Sequence, residues 1–169
     1  MNTKWHVMIA LTLLMIFLLT PCVIAQLRAG THAALSNGRP DYPLYEAQIL
    51  RHIDGDTLAV ALHVLPGVSY EASVRVRGVQ APERGGRAAC PRERMLGEAV
   101  TRFVAQHFPV GSWVYIQNVA RDKYAGRILG DVWQWQERTR TWRSLARFLL
   151  SREGQWAVPY EDRAQAPWC

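Results

Sequence analysis

Lysine is almost missing from this 169-residue sequence, in which 18 of the 20 basic side chains are arginine. The formal net charge of +6 and the isoelectric point near 9.7 therefore rest on guanidinium groups, which hold phosphate through two parallel hydrogen bonds. A GC-rich coding sequence favours arginine too, so the composition points to polyanionic partners without naming one. Cysteine is equally sparse, with three residues beside five histidines and no CxxC, HxxH or HxxxH spacing. Structural zinc sites and zincin-type hydrolases lose their support, and any metal chemistry has to use oxygen ligands. There is no internal repeat and no low-complexity tract. With 49% hydrophobic and 20% charged residues, disorder, collagen-like repeats and a polytopic membrane protein are excluded, which leaves one folded domain.

The N-terminus has the layout of a signal peptide. Lys4 precedes the apolar run Met8 to Leu19, Pro21 closes it, and Val23, Ile24 and Ala25 supply a cleavage site before Gln26. The run is short of the about 20 residues that a bilayer crossing needs, although Val7 to Ala25 could serve as an uncleaved membrane anchor. A lipoprotein site at Cys22 is disfavoured by Pro21. Residues 1–25 are thus read as a signal peptide, 26–45 as a linker rich in Gly, Asn and Pro, and 46–169 as the domain. The expected location is exported, periplasmic or secreted. Removing Lys4 leaves 19 cations against 14 acids, or +5, so the basic character belongs to the domain. Cleavage also removes Cys22, leaving Cys90 and Cys169 to form a disulfide or to remain two thiols. A bridge would close a loop of about 79 residues, for which the chain-entropy estimate is roughly 4 kcal/mol.

Within the domain, Ala47 to Ile53, Thr57 to Val64 and Tyr70 to Val79 are rich in β-formers, separated by the turn sequences Asp54-Gly55-Asp56 and Leu65-Pro66-Gly67. Pro91 suits a first helical turn, and Leu96, Val100, Phe103 and Val104 recur at helical spacing. Trp113 to Val119 and Arg127 to Trp135 read as two further strands, and Trp142 to Leu150 as a second helix. This order, βββαββα, is that of a mainly β fold with α elements: a five-stranded OB-fold barrel with two helices.

Several short motifs could carry chemistry, and each alone has an ordinary explanation. Asp54 and Asp56 place two carboxylates at a hairpin tip, where hard cations bind, but Asp-Gly-Asp is also common turn chemistry. Arg75 and Arg77 alternate with Val74 and Val76, so both guanidinium groups share one strand face, as they would on a solvated surface. Pro82 stops that strand and leaves Glu83 on a loop beside the strand ends, a plausible place for a base. Asp122-Lys123-Tyr124-Ala125-Gly126-Arg127 sets cations and a ring around a glycine, suited to phosphate and base contacts or simply to a polar hairpin.

Taken in order and spacing, these blocks resemble the staphylococcal nuclease (thermonuclease) family over roughly residues 46 to 160. The blocks are Ile53-Asp54-Gly55-Asp56-Thr57, Val74-Arg75 through Ala81-Pro82-Glu83, Cys90 through Glu98, Asp122-Lys123-Tyr124 with Gly126-Arg127, and Leu149-Leu150 through Gly154, Ala157 and Tyr160. The resemblance implies an SNase-like OB barrel and a Ca²⁺-assisted phosphodiesterase that leaves 3′-phosphate ends on DNA or RNA. It implies Asp56 as a direct calcium ligand, Asp54 as an outer carboxylate, the Ala81 carbonyl as a further ligand and Glu83 as the group that aims or deprotonates the attacking water. Arg75 and Arg127 would bind the phosphate and its transition state, while Lys123, Tyr124 and Tyr160 would hold the terminal nucleotide. The expected substrate is nucleic acid, single-stranded in preference, and the expected state a monomer.

Three departures stand out. Gln80 occupies the position of a second calcium-ligating aspartate; its amide oxygen can coordinate but brings no charge, so the site should bind Ca²⁺ weakly or accept another divalent ion. Ala125 is an extra residue before Arg127. The family's third helix has no counterpart after Tyr160, where a Cys90–Cys169 bridge would fix the terminus instead. Two functions follow: an exported metal-dependent nuclease, or a catalytically weak OB module that binds nucleic acid or a protein partner.

Overall fold

The computed structural model describes residues 43–151 and 156–169, all within one compact unit, Gly38–Cys169. The expected signal peptide, nearly all of the linker and Gly154 lie outside the described residues. The first strand, β1 (Tyr45–His52), starts two residues earlier than expected and forms antiparallel ladders with β2 (Thr57–Leu65) and β5 (Trp113–Arg121). β2 pairs with β3 (Val68–Val76), and β5 with β6 (Arg127–Gln136). A parallel pairing of β3 with β6 closes the sheet, Ser73 opposite Arg127 and Arg75 opposite Leu129. The result is a closed five-stranded OB barrel, β1-β2-β3-β6-β5, whose closure leaves these strands no free edge.

Alternation along the strands turns Ile49, Leu58, Val60, Val74, Val76, Ile116 and Val132 inward, each essentially unexposed. Burial on that scale contributes about 1.5–3 kcal/mol per large side chain. The helix α1 (Pro91–His107) packs Val100 and Val104 into the barrel core. It starts where the sequence predicts, with Pro91 in the first turn and the Cys90 sulfur accepting from the Glu93 amide. Its buried residues are Glu93, Gly97, Val100, Thr101 and Val104, so the small residues Gly97 and Thr101 are buried in place of the expected Leu96 and Phe103. Leu96 lies at the flank, and Phe103 stacks on Phe148 with ring centroids 5.1 Å apart.

Two sequence expectations need correction. The third strand does not run on to Val79: Gly78, at a φ of +78°, breaks it, and β4 (Val79–Gln80) turns away to pair with β8 (Val158–Pro159). Likewise Trp142 belongs to no helix. It lies in β7 (Thr141–Ser144), a hairpin partner of β6, where its ring packs edge-on against Trp135 at 5.4 Å. The second helix, α2 (Leu145–Leu150), begins only after Ser144, whose hydroxyl accepts from the Arg147 amide as an N-cap. Cys90 and Cys169 are bonded, with Cα atoms 6.0 Å apart, so the bridge ties the last residues to the start of α1. No helix among the described residues is long and apolar enough to cross a membrane.

Candidate active site

The seam that closes the barrel also builds the site. Register places Arg75 opposite Leu129 and Arg127 opposite Ser73, and with a two-residue repeat both arginines project from the same face of adjacent strands. The hairpin between β5 and β6 adds Lys123 and Tyr124, the segment after β3 adds Gln80 and Glu83, and the 3₁₀ turn Tyr160–Gln165 adds Tyr160. These seven side chains line one cleft of about 670 Å³. The extra Ala125 therefore does not carry Arg127 out of the site. Arg77, expected on the same face as Arg75, lines the cleft too and pairs with Asp131 at 3.5 Å.

Asp54, Asp56 and Ala81 lie behind the cleft wall, all at most 3% exposed. Two glycines allow this close packing. A Cβ on Gly55 would stand 2.6 Å from the Val100 side chain, and one on Gly97 would stand 2.4 Å from the Glu83 carbonyl oxygen. The loop that carries the expected base is thus pressed directly onto α1.

Asp56 is the hub of this buried layer. Its Oδ1 accepts from Arg75 Nη1 at 2.7 Å and from the Thr57 hydroxyl at 3.1 Å, and its Oδ2 accepts from the Ala81 amide at 2.6 Å. Burial and the adjacent Asp54 push its carboxyl above the ordinary range, against the opposite pull of Arg75 and the Ala81 amide. Asp54 in turn accepts from the Asp56 amide at 3.2 Å and from Arg87 Nη2 at 2.9 Å.

Gln80 joins the same network. Its Oε1 accepts from Arg75 Nη2 at 2.8 Å, and its Nε2 donates to the Ala81 carbonyl at 3.0 Å. Each expected calcium donor is consequently engaged by protein hydrogen: Asp56 by three donors, Asp54 by two, Gln80 by Arg75, and the Ala81 carbonyl by Gln80. Calcium takes six to eight oxygen ligands, and among the described residues no three His, Cys, Asp or Glu side chains converge in a group able to hold an ion. The donor set as folded does not fit the expected cation.

On the open side, Arg127 donates through Nε to Asp122 and lies over the Tyr124 ring at 4.6 Å, while Lys123 Nζ approaches the same ring at 5.0 Å. Burial pushes the Asp122 carboxyl up, but hydrogen bonds from Arg127 and the Lys123 amide, with the charges of Arg127 and Arg75, outweigh it and hold the group below its ordinary range. Arg163 covers Tyr160 at 4.3 Å.

Two residues that matter here were not singled out from the sequence. Arg87 pairs with the Glu83 carboxylate at 3.1 Å while it bonds Asp54, and so bridges the expected base and the buried layer. Glu93, 6% exposed, accepts from the Glu83 amide at 3.1 Å and the Ala89 amide at 2.6 Å, which fixes the loop backbone. Arg87 had a signal in its i, i+4 distance from Glu83. Glu93 had one in its place three residues after the helix cap. No family model and no curated protein matches the chain, so the reading of this cleft rests on its own residues.

Proposed function

We propose that the chain is an exported phosphodiesterase that cleaves DNA or RNA and leaves 3′-phosphate ends. The supporting observation is convergence: two arginines, a carboxylate and a cation-flanked tyrosine, drawn from segments far apart in sequence, line one cleft. A phosphodiester resists attack because it is anionic, so catalysis needs fixed positive charge where charge grows in the transition state. Arg75 uses three of a guanidinium's five N–H donors on Asp56, Val79 and Gln80, which leaves two for a phosphate oxygen. Arg127, steered by Asp122, meets the phosphate from the neighbouring strand. Glu83 takes a proton from water as its oxygen bonds to phosphorus and the bond to the 5′ oxygen breaks, the leaving oxygen being protonated from solvent. Tyr124 offers a face on which a base stacks. Export is supported by the leader-like N-terminus and by the Cys90–Cys169 disulfide.

Release of acid-soluble nucleotides from single-stranded DNA by the purified protein tests the reading. Turnover should fall by at least about 100-fold in Glu83→Gln, by analogy with the loss of one transition-state contact. The second reading, a module that binds nucleic acid without cleaving it, is favoured by the engagement of Glu83 with Arg87. It would replace the first if the wild-type protein bound single-stranded DNA, with a log–log salt slope near −0.7 per phosphate contacted, and released no nucleotide.

A further inference from the structure

Four hydrogen bonds behind the cleft form a closed ring. Arg75 Nη1 donates to Asp56 Oδ1, the Ala81 amide donates to Asp56 Oδ2, Gln80 Nε2 donates to the Ala81 carbonyl, and Arg75 Nη2 donates to Gln80 Oε1. The orientation of the Gln80 amide is forced, because turning it over would set donor against donor at Arg75 and acceptor against acceptor at Ala81. Only a side chain with both an acceptor and a donor closes this ring. An aspartate could face Arg75 but would leave the Ala81 carbonyl without a partner.

The ring's one full positive charge is Arg75, 7% exposed and ion-paired with Asp56 at 2.7 Å. An incoming divalent ion would have to part Arg75 from Asp56 and Gln80 from Ala81. It would then stand beside a buried guanidinium, where like-charge repulsion is little screened. Arg75 also faces the cleft, so the charge that closes the ring is available to a phosphate as well.

We propose that Arg75, locked by Asp56 and the Gln80 amide, is the resident cation of this site, and that the cleft binds and turns over its phosphodiester without a divalent metal. The turnover half rests on the phosphodiesterase reading above; the claim that no ion binds rests on the ring alone. The two can therefore fail separately.

Isothermal titration calorimetry with Ca²⁺, and separately with Mn²⁺, on the full oxidised protein tests the ring. Wild type should show no saturable binding up to about 10 mM, some tenfold above the weak end of calcium-module affinities, on the order of 10⁻³ M. Gln80→Asp should gain saturable binding with a Kd of about 1 mM or below, roughly tenfold under that ceiling, because it frees the Ala81 carbonyl and adds a carboxylate to Asp54 and Asp56. Gln80→Ala opens the ring without adding charge and should gain none; circular dichroism on both variants checks the fold. Saturable binding to wild type overturns the proposal, and so does a folded Gln80→Asp that binds no ion, since Gln80 would then not be what closes the site. Nucleotide release in chelator and in Ca²⁺ should agree within about twofold, and release that chelator abolishes and Ca²⁺ restores also overturns it. If no nucleotide is released under any condition, the phosphodiesterase reading fails while the calorimetry still decides the ring.

Discussion

Replacing Gly97 with alanine sets two opposed effects against each other, and the structure decides which prevails. In an exposed helix interior the change stabilises by about 0.8–1 kcal/mol, because glycine has more backbone freedom to lose. Here the new Cβ would lie 2.4 Å from the Glu83 carbonyl oxygen and 2.7 Å from both the Glu83 carbonyl carbon and the Pro82 carbonyl oxygen. Those atoms are backbone and cannot rotate away. Their loop is fixed on one side by the Ala81 amide bonded to Asp56 and on the other by the Glu83 amide bonded to Glu93. Overpacking of this kind costs about 1–3 kcal/mol, and three backbone contacts under 3 Å put it at the upper end. The net expectation is a loss of about 2 kcal/mol, or roughly 5–10 °C in Tm for a domain of this size. Nucleotide release should fall further than stability, because the displaced segment carries Glu83. Urea unfolding, with the slope m compared between variants, measures the first quantity. A variant stabilised by about 1 kcal/mol at unchanged m would refute the contact of α1 with this loop, and with it the placement of Glu83.

Arg75→Ala should cost more than Arg127→Ala in stability, since Arg75 is buried in a hydrogen-bond ring and Arg127 is bonded at the cleft edge; paired thermal melts would show no such difference if the ring were absent. Cys169→Ser should lower stability by up to about 4 kcal/mol on the loop-entropy estimate for a separation of 79 residues, and an unchanged denaturation midpoint would mean that the C-terminal segment is held by β4 and β8 alone. The Asp122 carboxyl is held below its unfolded value of 3.8, so its contribution to stability is fully present above pH 3.8 and is lost as pH falls through the lowered folded value. Asp122→Asn should flatten that acid limb, and a pH profile identical to wild type would remove the Asp122–Arg127 pair from the account.

The barrel was legible in the sequence because its signals are local and periodic. Alternating valines at Val74 and Val76, the turn at Pro66-Gly67 and the helical recurrence of Val100 and Val104 each specify an element without reference to distant residues. The errors fall where a tertiary contact overrides such a signal. Trp142 sits next to a good helical run, yet its ring has Tyr115 and Trp135 to pack against, and that burial draws residues 141–144 into the sheet. Gln80 could be seen to lack a charge, but nothing local says that its amide would face Arg75 and Ala81, because that depends on β4 turning away from β3. Arg87 and Glu93 have weak local signals, but their bonds to Asp54 and to the Glu83 amide exist only in the folded chain.

The parallel pairing of β3 with β6 explains why the site is all or nothing. Arg75 and Arg127 are 52 positions apart in the chain, and no local element relates them. Their common face exists because Ser73 to Val76 pairs in register with Arg127 to Gly130. A slip of one residue along this seam would turn one of the arginines toward the core. Such a slip is opposed by Val74 and Val76, which would then exchange a dry interior for water at about 1.5–3 kcal/mol each. The apolar residues of β3 thus hold the cleft-facing arginines in place, and the same alternation that buries the valines presents Arg75 and Arg127. A substitution at Val74 that loosens the seam should therefore impair binding in the cleft before it unfolds the barrel, although Val74 does not itself line the cleft.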